Sequence, residues 1–313
     1  MVKKSNLSPA TSPLLVDISD NVSMPSFPNT YFKKPNKNTE HLQNKSKLEI
    51  RRYFCVEHKY DRLLFKYKTC CKIHLETYIL DSNLYMSDHT QLNDPFELKS
   101  RVKFEYNNID IKNLTERLIS THKPKFKLKN QFKKRMANPK YVEETINSSL
   151  KHNFEQTGIH SFAKSGKNLL MWAQYADKHQ GVCLIFDVSE DINTFIAALP
   201  VSYSEKYPVV EYRHDISGTD LIKKSFLTKS LDWEYEDEIR IFDLKKAKHY
   251  LAFKPKSLFG IILGAKITEA NKEMVYSLLR KRKEIGKPDV KVFEACCSDS
   301  EYKLKIWRNK RIY

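Results

Sequence analysis

Lys229–Phe242 reads Lys-Ser-Leu-Asp-Trp-Glu-Tyr-Glu-Asp-Glu-Ile-Arg-Ile-Phe. A polar turn or short helix here runs into a strand marked by Ile239, Ile241 and Phe242. Residues two apart along an extended chain share a face, so Glu236, Glu238 and Arg240 are expected to point the same way. A charged trio on one strand face is either a solvated edge or the floor of a site. Trp233 and Tyr235 weigh against pure solvation, because large aromatic side chains seek burial.

Other apolar segments surround this strand. Leu63–Lys68 alternates as a first strand, with Lys66 and Lys68 on one face and Phe65 and Tyr67 on the other. Cys71–Leu80 reads as a helix and Leu84–Ser87 as a short strand. In Gln91–Glu97 the run Asn93-Asp94-Pro95 signals a turn, since Asx side chains cap nearby backbone and proline sets the next φ. Ile159–Phe162 reads as a strand, and Asn168 as the N-cap of a helix over 169–176. On that helix Trp172, Tyr175, Ala176 and His179 fall on one continuous face, with Trp172 expected in the core and Gly181 as a C-cap. Val182–Phe186 and Ser257–Gly264 are apolar enough for buried strands, with a further strand at Val201–Tyr203. Glu269–Lys283 reads as a helix and Val290–Glu294 as a late strand. Many short strands separated by helices imply a mixed α+β domain.

At 313 residues the chain can bury a sizeable core. It contains only 7 glycines and no GxGxxG, GxxxxGK[ST] or GxSxG, which removes the usual support for Rossmann, P-loop and hydrolase-elbow readings. The formal net charge of +17 favours a polyanionic partner such as nucleic acid, against a background of lysine-rich composition that serves solubility. Residues 121–140 hold eight Lys or Arg and no acidic residue, with Phe126, Phe132 and Tyr141 in or beside them. Basic side chains mixed with aromatics suit phosphate contact and base stacking, so Lys125, Lys127, Lys129, Lys133, Lys134 and Arg135 are the candidate nucleic-acid contacts. The competing reading is a solvated helix face. Trp307, Arg308, Lys310, Arg311 and Tyr313 form a second basic-aromatic cluster.

Six cysteines lack a CxxC spacing, and no signal peptide is visible, so reduced thiols in a cytoplasm are expected. No apolar run reaches transmembrane length, and no membrane partner is expected. Residues 1–47 read as a disordered tail rich in Ser, Pro, Asn and Lys. Residues 48–313 read as one domain with a polar, basic helical insertion over about 108–157.

Four stretches together resemble the bacterial domain of unknown function 2971 family. They are Phe65-Lys66-Tyr67-Lys68, Leu92–Glu97, Asn168–Ala176 with Asp177, His179 and Gly181, and Trp233–Arg240. The order of elements is in turn similar to that of ADP-ribosyltransferases. That resemblance implies a split mixed/antiparallel β core, with NAD as substrate and no metal. It implies Glu238 as the catalytic carboxylate, with Glu236 assisting. Tyr67, Lys68, Asn93, Asp94, Ser161, Tyr175 and Arg240 become the implied cofactor contacts. Lys68 stands where the resemblance leads one to expect arginine, which alone forks onto a phosphate. The resemblance leads one to expect a serine at Ala163, so either Ser161 substitutes for it or that contact is missing, and Phe65 lacks the hydroxyl of the expected tyrosine.

The implied activity is NAD-dependent ADP-ribosylation of a macromolecule, nucleic acid by the charge argument, as a toxin or phage-defence effector held in check or activated by a protein or RNA partner. An NAD glycohydrolase is the nearest variant. The alternatives are a Mg²⁺-dependent nuclease using Asp94, Glu236 and Glu238, and a non-catalytic nucleic-acid-binding module in which the glutamate strand is an ion-paired edge.

Overall fold

The computed structural model describes residues 45–46, 49, 62–104, 111–113, 115–116, 119–120, 126–212, 224–244 and 246–308. The 1–47 tail therefore lies almost wholly outside the described residues, as do Lys125, Lys310, Arg311 and Tyr313. The described residues fall into two compact units, one within 106–149 and the other within 28–105 and 150–313.

The smaller unit carries helix α2 (Phe126–Met136) and most of helix α3 (Pro139–Gln156). Lys133, Lys134 and Arg135 are exposed on α2, Lys129 is half-buried, and the Arg135 guanidinium lies 5.9 Å from the Tyr141 ring. Lys127 falls within α2.

The larger unit is mixed α+β. Eight of its strands form one sheet in the order β14-β13-β12-β5-β1-β4-β10-β6, mostly antiparallel. They are β1 (Leu63–Lys68), β4 (Gly158–Ala163), β5 (Val182–Asp187), β6 (Leu199–Pro200), β10 (Glu238–Asp243), β12 (Leu258–Leu263), β13 (Lys291–Cys297) and β14 (Leu304–Arg308). β12 and β13 pair in parallel, so the chain must cross over between them, and helix α6 (Glu269–Glu284) makes that crossover. Three two-stranded ladders accompany the sheet: β2 (Asn83–Met86) with β11 (His249–Ala252), β3 (Arg101–Phe104) with β8 (Val209–Tyr212), and β7 (Ser202–Ser204) with β9 (Thr228–Ser230).

The apolar run of β5 is explained by burial on both faces. Val182, Leu184 and Phe186 pack in one core cluster, with Leu75, Tyr78 and Ile79 beneath helix α1 (Lys72–Glu76) and its π-helical continuation to Asp81. Val275, Leu278 and Leu279 of α6 join them. Cys183 and Ile185 point the other way, into a second cluster around Met171 and Trp172 of helix α4 (Leu169–Tyr175). A two-sided strand of this kind has no polar face to show, which is why alternation is absent from its sequence.

Asn168 caps α4 as expected, its Oδ1 accepting from the Leu170 and Met171 amides at 2.9 and 3.2 Å. Trp172 is fully buried, and its Nε1 donates to the Gly166 carbonyl at 2.9 Å. The expected helical face does not continue to His179, because α4 ends at Tyr175 and Asp177, Lys178 and His179 all take positive φ. This left-handed run folds back and stacks the His179 ring on Trp172 at 6.2 Å.

Gly181 is not the C-cap of that helix. A Cβ there would lie 2.2 Å from the Lys68 carbonyl oxygen and 2.9 Å from Ala176 backbone atoms, so glycine is required for close approach. Gly181→Ala should therefore destabilise by about 3 kcal/mol, the upper range for overpacking, rather than the ~1 kcal/mol expected of an exposed cap. Urea unfolding with an unchanged m-value measures this directly.

The sheet forks at β4. At its C-terminal end β4 pairs with β1, through Phe65 and Ala163. Toward its start the same edge of β4 is taken by Ser87, with Ser87 and Ile159 exchanging both backbone hydrogen bonds at 2.8 Å. Ser87 directly follows β2, so β1 and β2 diverge from a shared partner. Antiparallel alternation leaves the backbone of Ser161, between those two bonded positions, facing the gap. There Lys66 Nζ donates to the Ser161 carbonyl at 2.6 Å.

Candidate active site

A cavity of about 230 Å³ occupies this fork. Strand alternation distributes its charges. Lys66 and Lys68 of β1 share a face with Leu64, and His160 of β4 shares one with Phe162; both of those apolar residues belong to the α1–α6 core. Ser161, Glu238 and Arg240 take the opposite face, toward α4. Lys66 and Lys68 thus approach the cavity from one side of the sheet and Glu238 from the other.

The expected trio of Glu236, Glu238 and Arg240 does come together, though not by simple alternation. Leu231–Glu236 is a 3₁₀ helix, Asp237 is left-handed with φ 43°, and β10 begins only at Glu238. Glu236 therefore reaches the site from a turn, and only Glu238 and Arg240 share a strand face.

All three are buried, and they are joined by two residues absent from the sequence-based set. Lys229 Nζ contacts Glu97 Oε1 at 2.9 Å, Glu236 Oε2 at 2.6 Å and Glu238 Oε2 at 3.5 Å. Arg240 donates through Nε to Glu238 Oε1 and through Nη2 to Glu238 Oε2 and Glu97 Oε2, each at 2.9 Å. Its Nη1 donates to the Phe226 carbonyl at 2.8 Å. Three carboxylates against two cations leave this network one negative charge in excess when all are ionised. Lys229 sits in the opening stretch and Glu97 ends the Asn-Asp-Pro-Phe-Glu run, but their pairing is a tertiary event that no local pattern signals.

The two central glutamates are driven apart electrostatically. Burial works against the Glu238 carboxylate, yet Arg240 and then Lys229 outweigh it and hold its pKa below the ordinary value, with the Ser161 hydroxyl contributing a hydrogen bond. Glu236 moves the other way: burial raises its pKa, and Lys229 and the Tyr175 hydroxyl offset only part of that. Tyr175 donates to Glu236 Oε1 at 2.5 Å, and Asn93 Nδ2 donates to Tyr175 at 2.6 Å. Burial and the neighbouring Glu236 push the Tyr175 hydroxyl pKa upward, so it stays a donor.

The remaining expected contacts divide. Tyr67, Lys68, Asn93, Ser161 and Tyr175 all line the cavity with Glu236 and Glu238. The Tyr67 hydroxyl already donates to the Ser165 carbonyl at 2.8 Å and accepts from the Asn168 amide at 3.2 Å, so it braces the wall. Arg240 stands behind Glu238 and not at the cavity surface. Asp94 is also not a wall residue. Its Oδ1 accepts from the Phe96 amide at 2.8 Å, the turn that its sequence signals. The charged and imidazole wall residues that sequence reasoning left out are Lys66, Glu97, His160 and Lys229. The Tyr203 hydroxyl, also unforeseen, accepts from the Glu238 amide at 2.8 Å and fixes the start of β10.

Residues 171–241 match the model of a family described as a protein of unknown function (DUF2971), which supports the resemblance drawn from the motifs. The matched span holds Tyr175, Lys229, Glu236, Glu238 and Arg240. No curated protein and no solved structure matches the chain. Among the described residues no helix is long and apolar enough to cross a membrane.

Proposed function

We propose that the fork is the active site of an NAD-dependent ADP-ribosyltransferase. The observation that carries this reading is the division of charge in one cavity: an ionised Glu238 inside a network with excess negative charge, facing Lys66 and Lys68 across the β1–β4 gap. Breaking the nicotinamide–ribose bond develops positive, oxocarbenium-like charge on the ribose. A fixed carboxylate beside that centre stabilises the charge most when it is fully formed, which is the condition for catalysis. Glu238 is held in place by the Arg240 fork and does not reorganise as the charge develops.

Glu236 supplies the complementary role. Two carboxylates pushed to opposite sides of the ordinary value form the usual signature of divided acid–base labour. The raised Glu236, oriented by Tyr175 and Lys229, accepts the proton of the incoming nucleophile while Glu238 stays ionised. Lys68 and Lys66 face the diphosphate. The cavity is smaller than the ~300–1,000 Å³ of typical ligand pockets, so it takes the reacting part of the dinucleotide and leaves the rest in the open mouth. The divergence of β1 and β2 from β4 is the feature consistent with the split core that the ADP-ribosyltransferase resemblance implies.

The acceptor in this reading is nucleic acid. The net charge of +17 and the exposed Lys133, Lys134 and Arg135 of α2 support it. An effector role as a toxin or in phage defence rests on the family resemblance alone. The test is incubation with adenylate-labelled NAD in the presence of total RNA, DNA or lysate protein. Label on RNA or DNA supports the reading, label on protein replaces the acceptor, and free ADP-ribose alone makes the enzyme an NAD hydrolase. Failure to consume NAD in any mixture overturns it.

A further inference from the structure

We propose that Lys66 and Lys68 together seat a doubly charged oxyanion in the fork, and that Lys66 takes up a proton as the anion enters. The geometry begins with two lysines on one strand face, both lining the cavity and both half-buried. Neither lies within ion-pair distance of a carboxylate among the described residues. The site's carboxylates are bound elsewhere, to Lys229 and Arg240. Lys66 Nζ has the Ser161 carbonyl at 2.6 Å, and Lys68 Nζ has the face of Tyr78 at 5.8 Å. Buried cations are ordinarily paired, so two adjacent lysines without a counter-charge mark a place for an anion.

His160 adds a second, independent sign. Its ring is buried, Nδ1 donates to the Tyr85 carbonyl at 2.9 Å, and buried Nε2 has no hydrogen-bond partner among the described residues. With Nδ1 carrying the proton, Nε2 is a buried acceptor, left over by the protein's own donors, on a residue that lines the cavity.

The proton follows from the charges around Lys66. Burial, then Lys68 on the same strand, lower its pKa to about 7; Glu238 and Glu236 pull upward and Arg240 downward. His160 on β4 stays neutral, kept so by burial and by Lys66 itself. Burial also lowers Lys68. An oxyanion placed between the two ammonium groups reverses the balance and favours the charged amine. Lys66 then goes from –NH₂ to –NH₃⁺, the proton coming from solvent. Because the anion binds the protonated form better, affinity is flat below about pH 7 and falls up to tenfold per pH unit above it.

The inference rests on the nucleotide reading only for which anion is physiological. The test is calorimetric titration at pH 8 in two buffers of different ionisation enthalpy. One probe is ADP-ribose and the other inorganic sulfate, since both keep a constant charge across neutral pH. The expected result is close to one proton taken up per anion by the wild type. Lys66→Arg should bind the same probes with no proton uptake and a pH-independent affinity, and Lys66→Met should bind at least tenfold more weakly. Sulfate binding with uptake, but no ADP-ribose binding, keeps this inference and sinks the nucleotide reading. ADP-ribose binding without proton uptake, unaltered in Lys66→Arg, does the reverse. Absence of binding by either anion overturns the seat itself.

Discussion

Replacing Arg240 by methionine is expected to lower stability by about 3–5 kcal/mol, the cost of removing one partner from a buried ion-pair network. Arg240 is fully buried and holds Glu238 through two donors and Glu97 through one. Without it the same three carboxylates face Lys229 alone, and the excess negative charge grows from one to two. At roughly 2–4 °C per kcal/mol for a domain of this size, the melting temperature should fall by roughly 10 °C. The sign of the pH dependence follows from Glu238. Its folded pKa is depressed below 4.5, so it contributes stability above that value, and the contribution is lost as pH falls through the folded pKa. The gap between wild type and variant should therefore be widest at neutral pH and narrow on acidification. A gap that is constant with pH would mean that Arg240 acts through packing, not charge.

The second large effect is on catalysis. Glu238→Gln keeps the shape of the side chain and one carbonyl oxygen, for Arg240 Nη2 and Lys229, but turns an amide NH₂ toward Arg240 Nε and removes the charge proposed to face the ribose. We expect nicotinamide release to fall by about 10²–10³-fold, the usual loss when one preorganised electrostatic group is removed, with NAD binding little changed. In the proposed mechanism the acid limb of the wild-type rate profile belongs to Glu236. Because burial raises that group, its midpoint should lie above 4.5, and activity should rise with pH through it. Steady-state rates between pH 4 and 7 measure both the loss and the midpoint.

Much of the scaffold was legible because its cause is local. Leu63–Lys68, Ile159–Phe162, Val182–Phe186 and Ser257–Gly264 all form strands near the expected bounds, and Asn168 caps the helix it was expected to cap. Those signals are alternation, apolar runs and side-chain capping, each settled within a few residues. The small ladders were legible only in part, through β2 and β7, which form near the expected Leu84–Ser87 and Val201–Tyr203. β3, β8 and β11 are short and owe their pairing to distant partners, and β14 follows a polar turn that masked it. The convergence of Glu236 with Glu238 was anticipated for an incomplete reason, since the left-handed Asp237 breaks the alternation on which that expectation stood. Lys229 and Glu97 escaped notice because a lysine before a turn and a glutamate after a proline look like ordinary surface. Only the fold brings them together in a buried network.

The fork itself could not be read from composition or period. Either strand edge, Phe65 or Ser87, is a plausible neighbour for β4 from sequence, and the chain uses both at different heights. The lysines that face this gap stand out only when their lack of carboxylate partners among the described residues is seen in three dimensions.

The central claim is that this gap holds a dinucleotide with its ribose against Glu238. Nicotinamide release from NAD by the wild type and by Glu238→Gln, run side by side at neutral pH with RNA and DNA present, tests it most directly. The account predicts release by the wild type and at least a hundredfold less by the variant at a temperature where both are folded by circular dichroism. Equal release by both, or none by the wild type, contradicts it.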